Sequence, residues 1–261
     1  MKNILKAVGY VLFYIIFQII VMSMTASIVG SSYGSKEQVE LFMNNNMMFL
    51  TVISNILTIT IFVVYFKILK RDLLKELNIT KVGINEYILP CIITFSYSLA
   101  FSLLTMNANF ENANIIQTTV EHYSSSIPYL GTILYVIALL IVAPVTEEFV
   151  YRGLVIRELQ KKYNNVTVII ISALLFGVSH IIAGGVILSV GSLIVGVILG
   201  IICVKTRSLL PAIIAHIFAN LPDSILSLLP NISVFSKYLT IIVCSLIFCG
   251  AMYRFIISNK D

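Results

Sequence analysis

The chain has 261 residues, of which 59% are apolar and 11% are charged. Soluble domains carry about 25% charged and about 45–50% apolar residues, so this composition argues against a water-soluble enzyme. The net charge of +5 is better explained by orientation in a membrane than by nucleic acid binding. We therefore predict a helical protein that crosses the membrane several times.

Eight apolar segments follow one another along the chain, and each is long enough, at about 17 residues or more, to cross the hydrocarbon layer. They predict an all-α polytopic membrane protein with about eight transmembrane helices. The first segment is too long for the apolar part of a signal peptide, so we expect it to be retained. The segments lie at approximately 4–29, 47–69, 87–106, 128–145, 166–182, 186–204, 209–229 and 238–257.

The basic residues separate by side once these segments are numbered. Of the 17 Lys and Arg residues, all except Lys36 and Lys237 fall on one side of the predicted membrane. An excess of Lys and Arg marks the cytoplasmic side. The pattern predicts a multi-pass cell-membrane protein with both termini in the cytoplasm, and it puts the loop 107–127 outside. The Ile-, Asn- and Lys-rich composition favours a bacterial source.

The composition changes near residue 128, which suggests an N-terminal three-helix region, 1–127, and a second membrane region, 128–261. In the second region, 147–163 is the main polar interruption. Its apolar residues recur at helical spacing, which favours an amphipathic helix that leaves the membrane on the cytoplasmic side. Pro144 is expected to kink or end the preceding span, because proline lacks the N–H that a helix requires.

Several small or polar residues are expected to be structural. Ser192, Gly196 and Gly200 are four residues apart, and such a stripe allows helices to pack closely in lipid. A structural or solvated role is also favoured for three other polar residues, namely His122, Asp223 and Lys237.

Two adjacent carboxylates carry the first chemical signal. Glu148 and Arg152 are four residues apart, so they can pair on one helix face. Glu147 points about 100° away around the helix and lacks that partner. One carboxylate can then be neutralised while the other transfers protons. Alone, this pattern fits a solvated helix start equally well.

Two further signals lie on other predicted helices. His180 follows an apolar stretch late in the fifth segment, and His216 and Asn220 share one face of the seventh. Buried polar groups are costly without partners, although a polar contact between helices would explain each one separately. Together with Glu147 they supply a base, imidazoles and hydrogen-bond donors for an oxyanion, as water attack on an amide requires.

This set resembles the CPBP family of CAAX prenyl proteases and bacteriocin-processing enzymes, also called the Abi family. The family pattern EExxxR, FxxxH and HxxxN is matched in order by EEFVYR at 147–152, FGVSH at 176–180 and HIFAN at 216–220. Each motif alone is weak, but the ordered triplet in a multispan protein is specific. The resemblance covers the second half of the chain.

The resemblance implies an intramembrane endopeptidase acting on membrane-associated proteins or peptide precursors. Glu147 is implied to activate the water and His180 to help orient it. His216 and Asn220 are implied to stabilise the oxyanion. A simple fifth span would put His180 toward the external side, away from Glu147, and a short or half-inserted helix would resolve this conflict.

The resemblance also implies that Glu148 and Arg152 hold the motif helix in shape, beside a conical intramembrane cavity open to the cytoplasmic leaflet. Metal use is open. Glu147, His180 and His216 are the two-histidine, one-carboxylate set of some zinc sites, but no HExxH motif is present, and a metal-free glutamate mechanism is slightly favoured.

Two other functions compete with a protease. A non-catalytic membrane scaffold or immunity protein would act by binding a partner, although an intact motif set does not favour it. A transporter would require polar groups at corresponding positions of two halves, whereas here they are confined to one half. The protease interpretation is therefore preferred.

Overall fold

The structure is a computed structural model that describes residues 2–32, 35–106, 133–134, 136–226 and 232–257. The predicted external loop, the end of the N-terminal region at residue 127 and His122 lie outside these ranges. The division into two regions therefore stays a prediction.

The described part of the chain is all-helical, as predicted. Its nine helices are α1 (Lys2–Ser32), α2 (Lys36–Ile68), α3 (Leu73–Leu77), α4 (Asn85–Thr105), α5 (136–160), α6 (Asn165–Ser179), α7 (Ile181–Thr206), α8 (Leu210–Leu226) and α9 (Val234–Ile257).

Five of these helices are long and apolar enough to cross a membrane, namely α1, α2, α4, α9 and the part of α7 from Gly184 onward. The helices α6 and α8 are apolar but shorter. The described residues therefore do not support eight full-length spans, although they are consistent with a multi-pass membrane protein. The fourth predicted segment begins among residues that are not described.

The length of α6 has local causes. The Asn164 side chain accepts a hydrogen bond from the Thr167 backbone N–H at 2.9 Å and caps the start of the helix. His180 ends α6, and within the first turns of α7 the Gly184 backbone leaves helical geometry and Gly185 adopts φ +67°, a left-handed conformation that favours glycine. The chain thus turns back into α7 after a helix of only 15 residues.

The polar segment after Pro144 is helical, as predicted, but most of it is buried. The backbone stays helical at Val142, Glu148 and Arg157, so α5 runs through Pro144 without ending. All eight residues of Phe149–Ile156 are buried. The predicted amphipathic character therefore does not apply to Phe149–Ile156, which other helices cover, whereas Lys161 and Lys162 at the end of the segment are exposed.

Two apolar cores hold the helices together. One surrounds α5 and is built with side chains from α1, α2, α3 and α6. The other lies between α4, α7, α8 and α9. Between α6 and α7 the backbones approach closely, since a Cβ added to Gly196 would lie 3.0 Å from the Ala173 Cα. A Cβ on Gly200 would lie 3.2 Å from Ile169, so the predicted packing role of the small-residue stripe is confirmed.

Most of the described Lys and Arg side chains lie at one end of the helices, which we call the basic end. At this end α1, α4, α6 and α8 begin, and α2, α5, α7 and α9 end. Contacts between distant helix ends hold it together. Asn3 donates to the Glu158 carboxylate at 2.9 Å, and the Leu209 N–H donates to the Asn78 carbonyl at 3.3 Å. Lys205 donates to the carbonyl of Ile256. The cytoplasmic orientation of this end stays a prediction.

Candidate functional site

The two adjacent glutamates lie in the middle of α5, at a change in helical geometry. The regular α-helical turn Ala143–Glu148 stands between two π-helical stretches, Val136–Val142 and Phe149–Ile156. A π turn is wider than an α turn and is frequent at functional sites. This geometry directs Glu147 and Glu148 to different surroundings.

Glu148 and Arg152 form the predicted ion pair, with both side chains fully buried. Arg152 Nη1 donates to Glu148 Oε1 at 2.7 Å. Its Nη2 donates to the Gly196 carbonyl of α7 at 3.0 Å, and its guanidinium lies 4.7 Å from the centroid of the Phe176 ring. A buried ion pair is tolerated only with such additional partners. The pair therefore ties α5 to α6 and α7.

His216 of α8 lies between the two glutamates. Its Nδ1 is 2.8 Å from Glu148 Oε1, and its Nε2 is 3.7 Å from Glu147 Oε2. A bond at one ring nitrogen fixes the orientation of an imidazole and leaves the other nitrogen for chemistry. The Glu147 side chain keeps 17% of its surface exposed, while Glu148 is closed off. The adjacent carboxylates thus differ in both access and partners.

His180 reaches the same cluster through an aromatic ring. Its Nδ1 is 2.7 Å from the Phe176 carbonyl, and its ring centroid is 4.5 Å from that of Phe176. The other side of the cluster also contacts Phe176, because the His216 ring centroid is 5.7 Å away. The two histidines therefore share one aromatic neighbour, although they come from different helices.

Asn220 lies one turn beyond His216 on α8 and contacts a different part of α5. Its side-chain Nδ2 donates to the Leu139 carbonyl at 3.0 Å, within the first π-helical stretch. His216 and Asn220 thus do not share one partner group, but both face α5. One hydrogen of the Asn220 amide is used by this bond, and the amide carries a second one.

Sequence reasoning missed two residues that hold the site together. Phe176 was noted only as a motif letter, yet its ring contacts Tyr151, His180, His216 and Arg152. Tyr151 is fully buried, and its hydroxyl donates to Ser179 Oγ at 2.8 Å. The sequence feature that could have indicated both residues is their position inside the motifs EEFVYR and FGVSH.

The structure describes two of the three polar residues for which a structural or solvated role is expected, Asp223 and Lys237. Ser102 donates to Asp223 Oδ1 at 2.5 Å, which links α4 to α8. Lys237 is buried near the start of α9, so a solvated role does not apply to it.

A zinc site formed by Glu147, His180 and His216 would require the three side chains to point at one common position. Among the described residues, no group of three His, Cys, Asp or Glu side chains is arranged to hold a metal ion. Glu147, His180 and His216 in this arrangement do not fit a zinc site, and we derive no step through a metal.

Two cavities in the described part of the chain measure about 350 and 270 Å³. Neither is lined by Glu147, His180, His216 or Asn220. The conical cavity stays a prediction.

Comparisons with known proteins agree with the class that this network defines, an all-helical membrane protein with polar motifs on three helices. Residues 129–222 match the family model described as type II CAAX prenyl endopeptidase Rce1-like. The chain thus contains a domain of the Rce1-like type II CAAX prenyl endopeptidase family. Searches of curated proteins and of solved structures found no match.

The matched range contains all three motifs, so the family resemblance inferred from them is confirmed. Membership of this family implies an intramembrane protease with a peptide or protein substrate. Bacteriocin processing, the catalytic type and the role of each residue stay predictions.

Proposed function

We propose that the protein is an intramembrane endopeptidase in which Glu147 activates the water that attacks the peptide bond. The observation that carries this proposal is the unequal treatment of two adjacent carboxylates. Glu148 is fully buried and bonded to Arg152 and His216. Glu147 is partly exposed, and its Oε2 lies 3.7 Å from His216 Nε2, which is longer than a hydrogen bond. It is therefore the carboxylate that can accept a proton.

The chemical step is a hydrolysis. Glu147 takes a proton from water, whose oxygen bonds to the scissile carbonyl carbon and gives a tetrahedral oxyanion. The carbon–nitrogen bond then breaks, and Glu147 returns the proton to the leaving amine. The peptide is cut into a new carboxylate and a new amine, without a covalent enzyme intermediate.

His216 is suited to stabilise the oxyanion because Glu148 holds it in place. In the protonated form of His216, both ring nitrogens carry a hydrogen. Nδ1 then donates to Glu148, while the Nε2–H can donate to the oxyanion. Preorganised donors of this kind are worth about 2.7–4 kcal/mol each in acyl transfer. The second amide hydrogen of Asn220 is proposed as another donor.

His180 is proposed to orient the water. Because its Nδ1 bonds to the Phe176 carbonyl, its Nε2 remains for a partner. The length of α6 supports this role, since 15 residues rise only about 22 Å, against a hydrocarbon layer of about 30 Å. A helix of that length that starts at the basic end would stop within the membrane, which supports a position of His180 near the depth of Glu147.

The substrate is proposed to be a membrane-associated protein tail or a peptide precursor that enters from the cytoplasmic leaflet. The basic end supports this orientation, since Lys and Arg are enriched on the cytoplasmic side. We propose metal-free chemistry, and the support is that no three His, Cys, Asp or Glu side chains among the described residues are arranged to hold a metal ion.

The test compares purified wild type with Glu147→Gln and His180→Ala in a bilayer mimic. Prenylated and unprenylated membrane-anchored peptides are supplied with and without a chelator, and cleavage is followed by mass spectrometry. We expect Glu147→Gln to lower the rate by at least about 10²-fold, as removal of a general base does, with an unchanged unfolding temperature. Glu37→Gln, at an exposed position near the start of α2, is the matched control and should cut normally.

Equal cutting by wild type and Glu147→Gln would disprove the site. A loss of cutting in chelator that zinc restores would overturn the metal-free chemistry alone. If no peptide is cut and a cellular phenotype survives Glu147→Gln, the scaffold alternative is favoured instead.

A further inference from the structure

A cleft of about 350 Å³ lies between α1 and α2, away from the motif residues. The polarity of its lining decreases along both walls from one end of the cleft to the other. Six of the lining residues form two matching series, Lys6, Tyr10 and Phe13 on one wall and Arg71, Tyr65 and Phe62 on the other.

The two series run in the same direction because α1 and α2 are antiparallel. Lys6, Tyr10 and Phe13 are four and three residues apart, so they share one helix face. From the basic end inward, each wall presents a cation, then a phenol, then a phenyl ring. The distance from Lys6 to Phe13 along α1 is about 10 Å. The cleft is thus amphipathic, with its charged part at one end.

The cations at the mouth retain capacity for an anion. Lys6 is 48% exposed, and its Nζ is 3.8 Å from Glu158 Oε1, which is longer than a hydrogen bond. Glu158 is already bonded to Lys161 at 2.6 Å. Arg71 directs Nε and Nη2 at a single oxygen of Glu76, and a guanidinium has five N–H donors. Although Glu158 and Glu76 face these two cations, Lys6 and Arg71 keep N–H donors that an anion at the mouth of the cleft can use.

We propose that this cleft binds one anionic phospholipid. Its phosphate lies beside Lys6 and Arg71, and an acyl chain runs over the outside of the Phe13 and Phe62 rings, which pack on each other with centroids 5.1 Å apart. Tyrosine is enriched at the level of lipid headgroups, which fits the middle position of Tyr10. Basic residues near a membrane surface attract anionic lipids. This inference is independent of the proposed proteolysis.

The lipid is identified by native mass spectrometry of the full chain in detergent. The probes are phosphatidylglycerol, phosphatidylcholine with the same acyl chains, and inorganic phosphate. We expect phosphatidylglycerol to bind at least about fivefold more tightly than phosphatidylcholine, and inorganic phosphate at lipid concentrations not to compete. Equal binding of the two lipids, or displacement by phosphate alone, would overturn the proposal.

Two variants test the two ends of the cleft. Gly9 lines the cleft, and a Cβ added there has no heavy atom within 4 Å, so Gly9→Leu places apolar atoms in the cleft and should weaken phosphatidylglycerol binding by about tenfold or more. Lys6→Gln should weaken it by about fivefold. The matched controls are Gly250→Leu, at an equally open position on α9, and Lys67→Gln, at the same end but outside the lining.

Leucine has a higher helix propensity than glycine, so Gly9→Leu should unfold no earlier than wild type without lipid. Undiminished binding by Gly9→Leu would contradict the proposal. The proposal would also be contradicted if Gly250→Leu weakened binding as much as Gly9→Leu, or if Lys67→Gln weakened it as much as Lys6→Gln.

Discussion

Buried polar side chains occur in two regions of this molecule and are satisfied in different ways. Between α1 and α2, Gln18 Nε2 donates to Thr58 Oγ1 at 3.2 Å, and the Asn55 amide donates to the Thr51 carbonyl in its own helix at 2.8 Å. Around α5, the charged pair Glu148 and Arg152 contacts residues of α6, α7 and α8.

The difference follows from the cost of burial. A neutral amide or hydroxyl needs one or two hydrogen bonds, and a carbonyl of its own helix can supply one. A buried charge needs an opposite charge and further donors or acceptors, which a single neighbouring helix rarely offers. The charged region therefore requires α5, α6, α7 and α8 to be assembled, whereas the neutral region depends on one helix pair.

The largest expected effect is on the charged region. Arg152→Leu leaves Glu148 buried without its counter-ion, and we expect a loss of about 3–5 kcal/mol in the free energy of unfolding, measured by denaturant titration in detergent micelles. The double variant Glu148→Gln/Arg152→Leu removes the uncompensated charge and should recover part of the loss. A loss below about 1 kcal/mol in Arg152→Leu would show that solvent reaches this pair.

A medium effect is expected where α7 meets α6 beside the ion pair. A Cβ at Gly196 would lie 3.0 Å from the Ala173 Cα and 3.3 Å from the Phe176 ring, so Gly196→Ala should cost about 1–3 kcal/mol by overpacking. In the first region, a Cβ at Gly30 meets only an ordinary contact at 3.7 Å. Gly30→Ala should therefore leave the unfolding midpoint unchanged or raise it. Equal behaviour of the two variants would contradict the close helix approach.

The smallest effect is expected in the neutral region. Gln18→Leu removes the contact with Thr58, while Thr58 keeps its bond to the Ser54 carbonyl at 2.8 Å. Hydrogen bonds between helices in membranes are worth about 0.6 kcal/mol on average, so the free energy of unfolding should fall by no more than that. Ser245→Ala, at an exposed site with a bond only to its own helix, provides the baseline. A loss above about 2 kcal/mol would mean that the two regions do not differ as described.

The sequence predicted the helices well and their lengths less well. Each predicted apolar segment overlaps a helix, because apolar periodicity is a property of consecutive residues. The predicted helix lengths are wrong where tertiary contacts determine where a helix ends. Segment 166–182 becomes a 15-residue helix, and α5 passes through Pro144 into a buried polar stretch because other helices surround it.

At the candidate site, spacing predicted the pair of Glu148 and Arg152, since residues four apart meet on one helix face. Spacing could not show that Phe176 joins the two histidines. That contact unites residues of α6 and α8, and helix crossing decides which side chains meet.

What the sequence determined by itself is local and compositional. It established the helical membrane class, the order of the three motifs and the two faces on which Glu147 and Glu148 stand. Only the tertiary structure decided which of these carboxylates is closed off by Arg152 and His216 and which stays accessible. The physical reason is that a carboxylate's partners and exposure depend on side chains far away in sequence, brought close only when α5, α6, α7 and α8 pack together.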